Sequence, residues 1–297
     1  MNCRNEGKAI KRTDIVMTPE LKSFLSFDIG KMRKEFADQA IQDIAYCNDL
    51  KLDLYLPDSR KEKIPAVIIV FGGGWVSGFK QDGFVEPMAR IKECGYAAVV
   101  PDYTLALDDC FPRPVEDIQA CVKWVRRNAD KYGLDAENIT LWGESAGAHL
   151  ALEAGLMHPE TEESVRSIIA MYPLTDLDTA DAQAEQCGMK ARYDNPNSVL
   201  GIFMGNGFSD EKIRKQASPV NHMHAGMPDI LIQHGTFDKM IPYLQSQEFY
   251  DAAIKQGMQD KVQLELIPGK EHTDPWFFQK ENLSHLDSWM QKKKVSG

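Results

Sequence analysis

Nowhere in the 297 residues do apolar side chains run unbroken for about 18 positions, the length a membrane-spanning helix needs, so no crossing of a bilayer is expected. The opening residues, Met1-Asn2-Cys3-Arg4-Asn5-Glu6-Gly7-Lys8, have no apolar segment of the kind that drives secretion, which makes a cytoplasmic location the expectation. Cysteines are few and scattered, at 3, 47, 94, 110, 121 and 187, with no C-x-x-C pair. They read as reduced, mostly buried thiols. Metal-ligand spacing is also missing: His222 and His224 are neighbours, but no H-E-x-x-H and no Cys/His quartet accompanies them, and no metal is expected. Acidic residues outnumber basic ones, 44 to 34. A formal charge of −10 argues against nucleic acid as a partner, and Lys292-Lys293-Lys294 reads as a solvated helix end. No Gly/Ser or Pro-rich linker, repeat or low-complexity tract interrupts the chain, so one domain over 1–297 is expected, and 43% apolar residues suffice for its core.

What is present is a nucleophile in the right setting. Ser145 lies in Gly143-Glu144-Ser145-Ala146-Gly147, after the strand-like run Asn138-Ile139-Thr140-Leu141-Trp142 and before the helix-like run Ala148 to Ala154. Strand, tight turn and helix in that order turn a G-x-S-x-G pentapeptide into a nucleophile elbow, whose small flanking residues let strand and helix approach closely. An ordinary Gly-Ser turn entering a helix is the plainer alternative.

Such a serine needs an oxyanion hole upstream and an acid and a histidine downstream, in that chain order. Upstream, Ala66-Val67-Ile68-Ile69-Val70-Phe71 reads as a buried parallel strand opening into Gly72-Gly73-Gly74-Trp75. Glycines there leave backbone N–H groups free to face an oxyanion, and Gly73 and Gly74, with the N–H of Ala146, are the candidates. A phosphate loop fits poorly, because no Lys-Ser/Thr pair follows. Downstream, the strands Asp229 to His234 and Val262 to Ile267 end near Asp238 and His272, at the carboxyl edge where ligand crevices of open α/β sheets form. Asp238 would hold the His272 imidazole, and His272 would take the Ser145 proton. His234 competes for the base and Asp176 for the acid, each being attached to a strand. Asp274 is too close in sequence to His272 to brace its ring.

Elsewhere, 19–37 reads as helical, and Ile41–Cys47 with Lys51–Leu56 as a hairpin around Asn48-Asp49 at the sheet edge. Helices are expected near 83–94, after Pro114 (with Val115, Ile118, Val122 and Val125 on one face and Gly133 beyond its end), to about 157, over 242–256 and over 275–292, and strands at 97–100 and 167–172. The stretch 177–228 breaks the alternation and reads as a small cap or lid. Trp75, Phe203 and Phe208 are the candidate substrate-binding residues, with Met204 as a further apolar candidate, although packing of the lid onto the sheet explains any one of the lid residues as well.

Phe71-Gly72-Gly73-Gly74-Trp75, Asp102-Tyr103-Thr104-Leu105, Phe111 to Asp117, Gly143 to Gly147, His234 to Asp238, and His272 together resemble the hormone-sensitive-lipase-like α/β-hydrolases, in the bacterial branch of acetyl-xylan and feruloyl esterases. The resemblance runs from about Tyr55 to Trp289. It implies an α/β-hydrolase fold, a mostly parallel sheet flanked by helices, and a serine carboxylesterase without cofactor. The implied substrates are small-molecule or carbohydrate esters of short acyl or hydroxycinnamoyl groups, including those of plant walls. An amidase of the arylformamidase type resembles the same oxyanion loop and the run Ser145 to Leu150. A non-catalytic binding protein on this fold would require a damaged triad. Two positions depart from the family pattern: Phe71 stands where it has His, and Thr104 where it has Arg. The sequence carries no signal of oligomeric state.

Overall fold

The structure, a computed structural model, describes residues 40–58, 63–80, 85–157, 162–190 and 192–295. The expected helix over 19–37 lies outside them.

Continuous apolar runs are the signature of strands covered on both faces, and three of them form the middle of the sheet. Every side chain of β3 (Ile64–Val70), β4 (Ala97–Pro101) and β6 (Ser167–Met171) is buried. Eight strands pair in the order β1-β2-β4-β3-β5-β6-β7-β8, with β1 (Ala40–Cys47), β2 (Leu50–Tyr55), β5 (Leu134–Glu144), β7 (Asp229–Gly235) and β8 (Val262–Ile267). Pairing is antiparallel for β1 with β2 and for β2 with β4, and parallel from β4 across to β8. The expected edge hairpin is present. Asn48, in its two-residue turn, takes φ 46°, the left-handed geometry that matches strand twist.

Helices flank this sheet, giving the α/β-hydrolase fold. They are α1 (Val85–Glu93), α2 (Arg113–Arg127), α3 (Ala129–Tyr132), α4 (Ala146–Leu156), α5 (Ala180–Gln186), α6 (Val199–Met204), α7 (Glu211–Gln216), α8 (Leu244–Lys255) and α9 (Lys280–Val295). The apolar face read from α2 is the buried one: Val115, Ile118, Val122 and Val125 are all within 1% of full burial. α4 is buried along its whole length, including His149 and Glu153.

Two readings need correction. The last helix does not begin at 275. Asp274 accepts from the Trp276 N–H and caps a short 3-10 turn, Pro275–Phe278, and Gln279 is extended, so α9 starts at Lys280. Among the described cysteines only Cys121 is fully buried; Cys47, Cys94, Cys110 and Cys187 are half-buried, and none of the five forms a disulfide.

Strand order explains where a site can form. The chain passes from β3 outward to β4, then returns to add β5 on the other side of β3. At such a switch point the loops leaving the two strands diverge and open a crevice. Here those loops are the glycine run after β3 and the serine turn after β5. The pairing of Val70 with Gly143 brings them level.

Candidate active site

Ser145 follows β5 directly and begins α4 with φ 51° and ψ −121°, a conformation that non-glycine residues adopt only when the surroundings impose it. The surroundings do. A Cβ on Gly147 would stand 2.2 Å from the Val70 carbonyl oxygen, and one on Gly143 would stand 2.2 Å from the Gly147 oxygen, so strand and helix meet at backbone contact. The Ser145 N–H is tied to the Met171 carbonyl at 2.9 Å.

The loop after β3 is equally constrained. Gly73 takes φ 100°, and a Cβ there would lie 2.3 Å from the Ser77 carbonyl oxygen. Its own carbonyl accepts from the N–H groups of Val76 and Ser77 and from the Ser77 hydroxyl. Gly74 and Trp75 also have positive φ, 60° and 62°. No acceptor for the N–H of Gly73, Gly74 or Ala146 is present among the described residues. Phe71 is held by stacking on Tyr103 at 4.2 Å between ring centroids. The Tyr103 hydroxyl reaches the carbonyls of Phe71 and Gly72 at 3.2 and 3.3 Å.

Asp238 and His272 arrive from the carboxyl ends of the adjacent strands β7 and β8. His272 Nδ1 lies 2.6 Å from Asp238 Oδ2 and Nε2 lies 3.0 Å from Ser145 Oγ, so one ring spans acid and hydroxyl. The other carboxylate oxygen, Oδ1, accepts from the Met240 and Ile241 N–H groups at 2.7 and 2.9 Å. Burial alone would push the Asp238 carboxyl up, but the charge of His272 and hydrogen bonds from His234 and His272 together hold it well below the usual carboxylate range. An ionised Asp238 fixes the proton of His272 on Nδ1 and leaves Nε2 an acceptor facing the serine.

The rivals are occupied elsewhere. His234 is fully buried, with Nδ1 on the Ser246 hydroxyl and Nε2 on the Ile241 carbonyl, 3.2 Å from Asp238 Oδ2. Asp176 receives the Asp178 N–H in its own turn, and its N–H is held by Gln245. Asp274 caps the Trp276 turn and lies 3.5 Å from Lys270.

A small cleft of about 30 Å³ opens beside the serine, lined by Gly74, Trp75, Ala146, Tyr193, Val199 and Ile241, with Leu174, Met240 and Arg192 also on its wall. Of the three aromatic candidates, only Trp75 lines it. Phe203 lies behind, fully buried, stacked on Trp75 at 4.7 Å and edge-on to Phe111. Phe208 packs under the Arg214 guanidinium. Three contributors were not singled out from the sequence. Tyr172, buried with φ 43°, packs its ring 4.6 Å from that of His272 and donates its hydroxyl to Glu144. Tyr193 donates its hydroxyl to the Met240 carbonyl. His149 accepts the Trp75 indole N–H. The one available signal is positional: His149 lies one helical turn after Ser145, on a helix whose other residues, Glu153 apart, are apolar.

No cluster of His, Cys, Asp and Glu fit for a metal occurs among the described residues, and no helix there is long and apolar enough to cross a membrane.

A family model described as BD-FAE matches residues 52–253. Over 227 residues the chain is 30% identical to Esterase LipQ of Mycobacterium tuberculosis, which covers 71% of this chain and 50% of that protein. It is 29% identical over 253 residues to the isoprenylcysteine alpha-carbonyl methylesterase ICME of Arabidopsis thaliana, covering 80% and 58%. The chain therefore spans little more than half the length of the curated relatives it matches. Among solved structures, a truncated carbohydrate esterase from gut microbiota superposes with a TM-score of 0.77 at 22% identity, over 86% of this chain and 96% of that one. A thermophilic esterase of Thermogutta terrifontis with propionate bound gives 0.68 at 24%, over 87% and 96%. At these identities the structural likeness is one of fold.

Proposed function

We propose that this chain, which belongs to the BD-FAE family, is a serine carboxylesterase acting on esters of short acyl groups through Ser145, His272 and Asp238. The observation that carries the reading is the continuous relay from Asp238 through His272 to Ser145, at 2.6 and 3.0 Å, beside backbone N–H groups with no acceptor. The hydroxyl of Ser145 attacks the ester carbonyl as His272 Nε2 takes its proton. The N–H groups of Gly73, Gly74 and Ala146 stabilise the oxyanion, and the imidazolium returns the proton to the departing alcohol. Water then cleaves the acyl-enzyme by the same steps. No cofactor is required.

The size of the cleft bears on the acyl group. Pockets for drug-sized ligands measure about 300–1,000 Å³, against about 30 Å³ here. Acetyl and similar groups suit that space better than hydroxycinnamoyl, and the membership of the acetyl-xylan branch, with carbohydrate esters as substrates, remains part of the same proposal. Residues 177–228 act as the cap in this reading, supplying Tyr193 and Val199 to the acyl wall. A cytoplasmic location is its companion, supported by the five cysteines among the described residues, none of which is paired.

A panel of p-nitrophenyl esters of increasing acyl length, acetylated xylan, methyl ferulate and N-formylkynurenine tests substrate and reaction class together. Acetate should be turned over fastest, and N-formylkynurenine as the best substrate would make the chain an amidase. Ser145→Ala should lower kcat by about 10⁴-fold and abolish fluorophosphonate labelling. A folded variant keeping a tenth of the wild-type kcat would remove Ser145 from the mechanism.

A further inference from the structure

His149 serves no step of the proposed chemistry, yet it is a fully buried ring with both nitrogens engaged. Nδ1 lies 3.3 Å from Trp75 Nε1. An indole nitrogen only donates, so Nδ1 must be the acceptor and the ring proton sits on Nε2. Nε2 lies 2.9 Å from the Ala217 carbonyl and donates to it. The ring also meets Trp75 and Phe203 edge-on, with centroids at 5.2 and 5.3 Å. One neutral tautomer thus ties three segments that the reaction needs in register: the serine helix α4, the glycine loop through Trp75, and the 177–228 segment through Ala217 and Phe203.

The position of Trp75 gives this tie its leverage. Trp75 follows Gly73 and Gly74, holds φ 62°, is 3% exposed, and accepts the Ala106 N–H on its carbonyl at 2.8 Å. A tryptophan in left-handed geometry is unfavourable unless both its ends are fixed. Its backbone end is fixed by Ala106, and its indole end is fixed by Phe203 stacking and by His149. Rotation at Trp75 would turn the peptide that joins it to Gly74, and with it the loop whose N–H groups face the oxyanion. We propose that His149 is a positioning residue for the oxyanion loop, holding Trp75 through the Nδ1 acceptor. Burial lowers the His149 pKa to about 4, against the hydrogen bond to Ala217, which favours the charged form, and His222 lowers it further. The ring is therefore neutral at neutral pH.

This inference rests on the esterase reading, and variants at His149 separate the two. Asn places an amide oxygen near the Nδ1 position, so it keeps an acceptor for Trp75 and loses Ala217. Gln reaches the Nε2 position, so it keeps Ala217 and loses Trp75. On p-nitrophenyl acetate, His149→Gln should lose about 10- to 100-fold in kcat with KM within about threefold, and His149→Asn should lose clearly less. Affinity for a trifluoromethyl ketone, which forms a tetrahedral adduct, should fall in parallel with kcat. Trp75→Phe keeps the stacking, deletes the donor and should match His149→Gln. A merely structural role would lower the melting temperature of these variants without ordering kcat by the acceptor at Nδ1. Folded Gln and Trp75→Phe variants within twofold of wild-type kcat, or Gln more active than Asn, would overturn the inference while leaving the esterase reading intact. A wild-type chain inert to esters and to fluorophosphonate would overturn both.

Discussion

Asp238→Asn changes one oxygen into an amide nitrogen at a carboxylate whose two oxygens face different partners. Oδ1 accepts from two backbone N–H groups at 2.7 and 2.9 Å, and Oδ2 accepts from His272 Nδ1 at 2.6 Å, with His234 Nε2 at 3.2 Å. An asparagine has one acceptor to offer. If its oxygen stays with Met240 and Ile241, where two donors hold it, the NH₂ points at His272 Nδ1. The imidazole must then carry its proton on Nε2, aimed at Ser145, and cannot accept the serine proton. If the amide flips, the NH₂ meets two N–H donors, a loss of about 1–3 kcal/mol for unsatisfied buried groups. The first arrangement is favoured, and kcat should fall by about 10³- to 10⁴-fold, or about 4–5 kcal/mol in activation free energy. Steady-state kinetics on p-nitrophenyl acetate measure this, with fluorophosphonate labelling slowed to match. Asp176→Asn should stay within about tenfold of wild type, because Asp176 braces only its own turn and the Gln245 contact. Asp238→Asn within tenfold of wild type, or Asp176→Asn the more damaged of the two, would refute the reasoning.

Phe71→His should change kcat by less than about tenfold, since stacking on Tyr103 fixes the loop, but should cost about 1–3 kcal/mol of stability because a polar ring enters an apolar site 1% exposed; urea unfolding reads the second effect, and a collapse of kcat in folded protein would contradict the first. Acid should weaken the fold through His149: with its folded pKa lowered to about 4 from an ordinary 6.5, its contribution is complete above pH 6.5 and lost as pH falls toward 4, about 3 kcal/mol in all. Glu153 works in the opposite sense, because its buried carboxyl, held well above the usual range by desolvation, favours the fold below pH 4.5 and loses that advantage as pH rises. Glu153→Gln should therefore gain urea resistance over wild type progressively from pH 5 to pH 8, and a difference constant with pH would contradict the assignment of Glu153 as a neutral buried acid.

Glu153 also marks where local pattern and tertiary structure part company. It lies in the serine helix, both its carboxylate oxygens are without a hydrogen bond among the described residues, and His222 Nε2, 3.5 Å away, is already directed to the Gln216 carbonyl at 2.8 Å. The run Ala146 to Leu156 has no polar face on which Glu153 could be solvated, but the groups that cover it, α2, the sheet and the turn Pro219–His222, come from distant parts of the chain. The strands β3, β4 and β6 were legible for the converse reason: burial on both faces writes itself into consecutive β-branched residues. Ser145 was legible because its turn is local, and the glycines that permit it are its immediate neighbours. The acid is named from the sequence as Asp238 only with Asp176 as its rival, since both follow strands, and the choice between them depends on which strand lies beside the one carrying the histidine. Asp238 leaves β7, which pairs with β8, whereas Asp176 follows β6, one strand removed. Likewise the two anchors that hold the oxyanion loop, Tyr103 and His149, lie 32 and 74 residues from their partners. Motifs specify the groups that react with substrate; the groups that hold them in place act across the sheet, and only strand order brings them together.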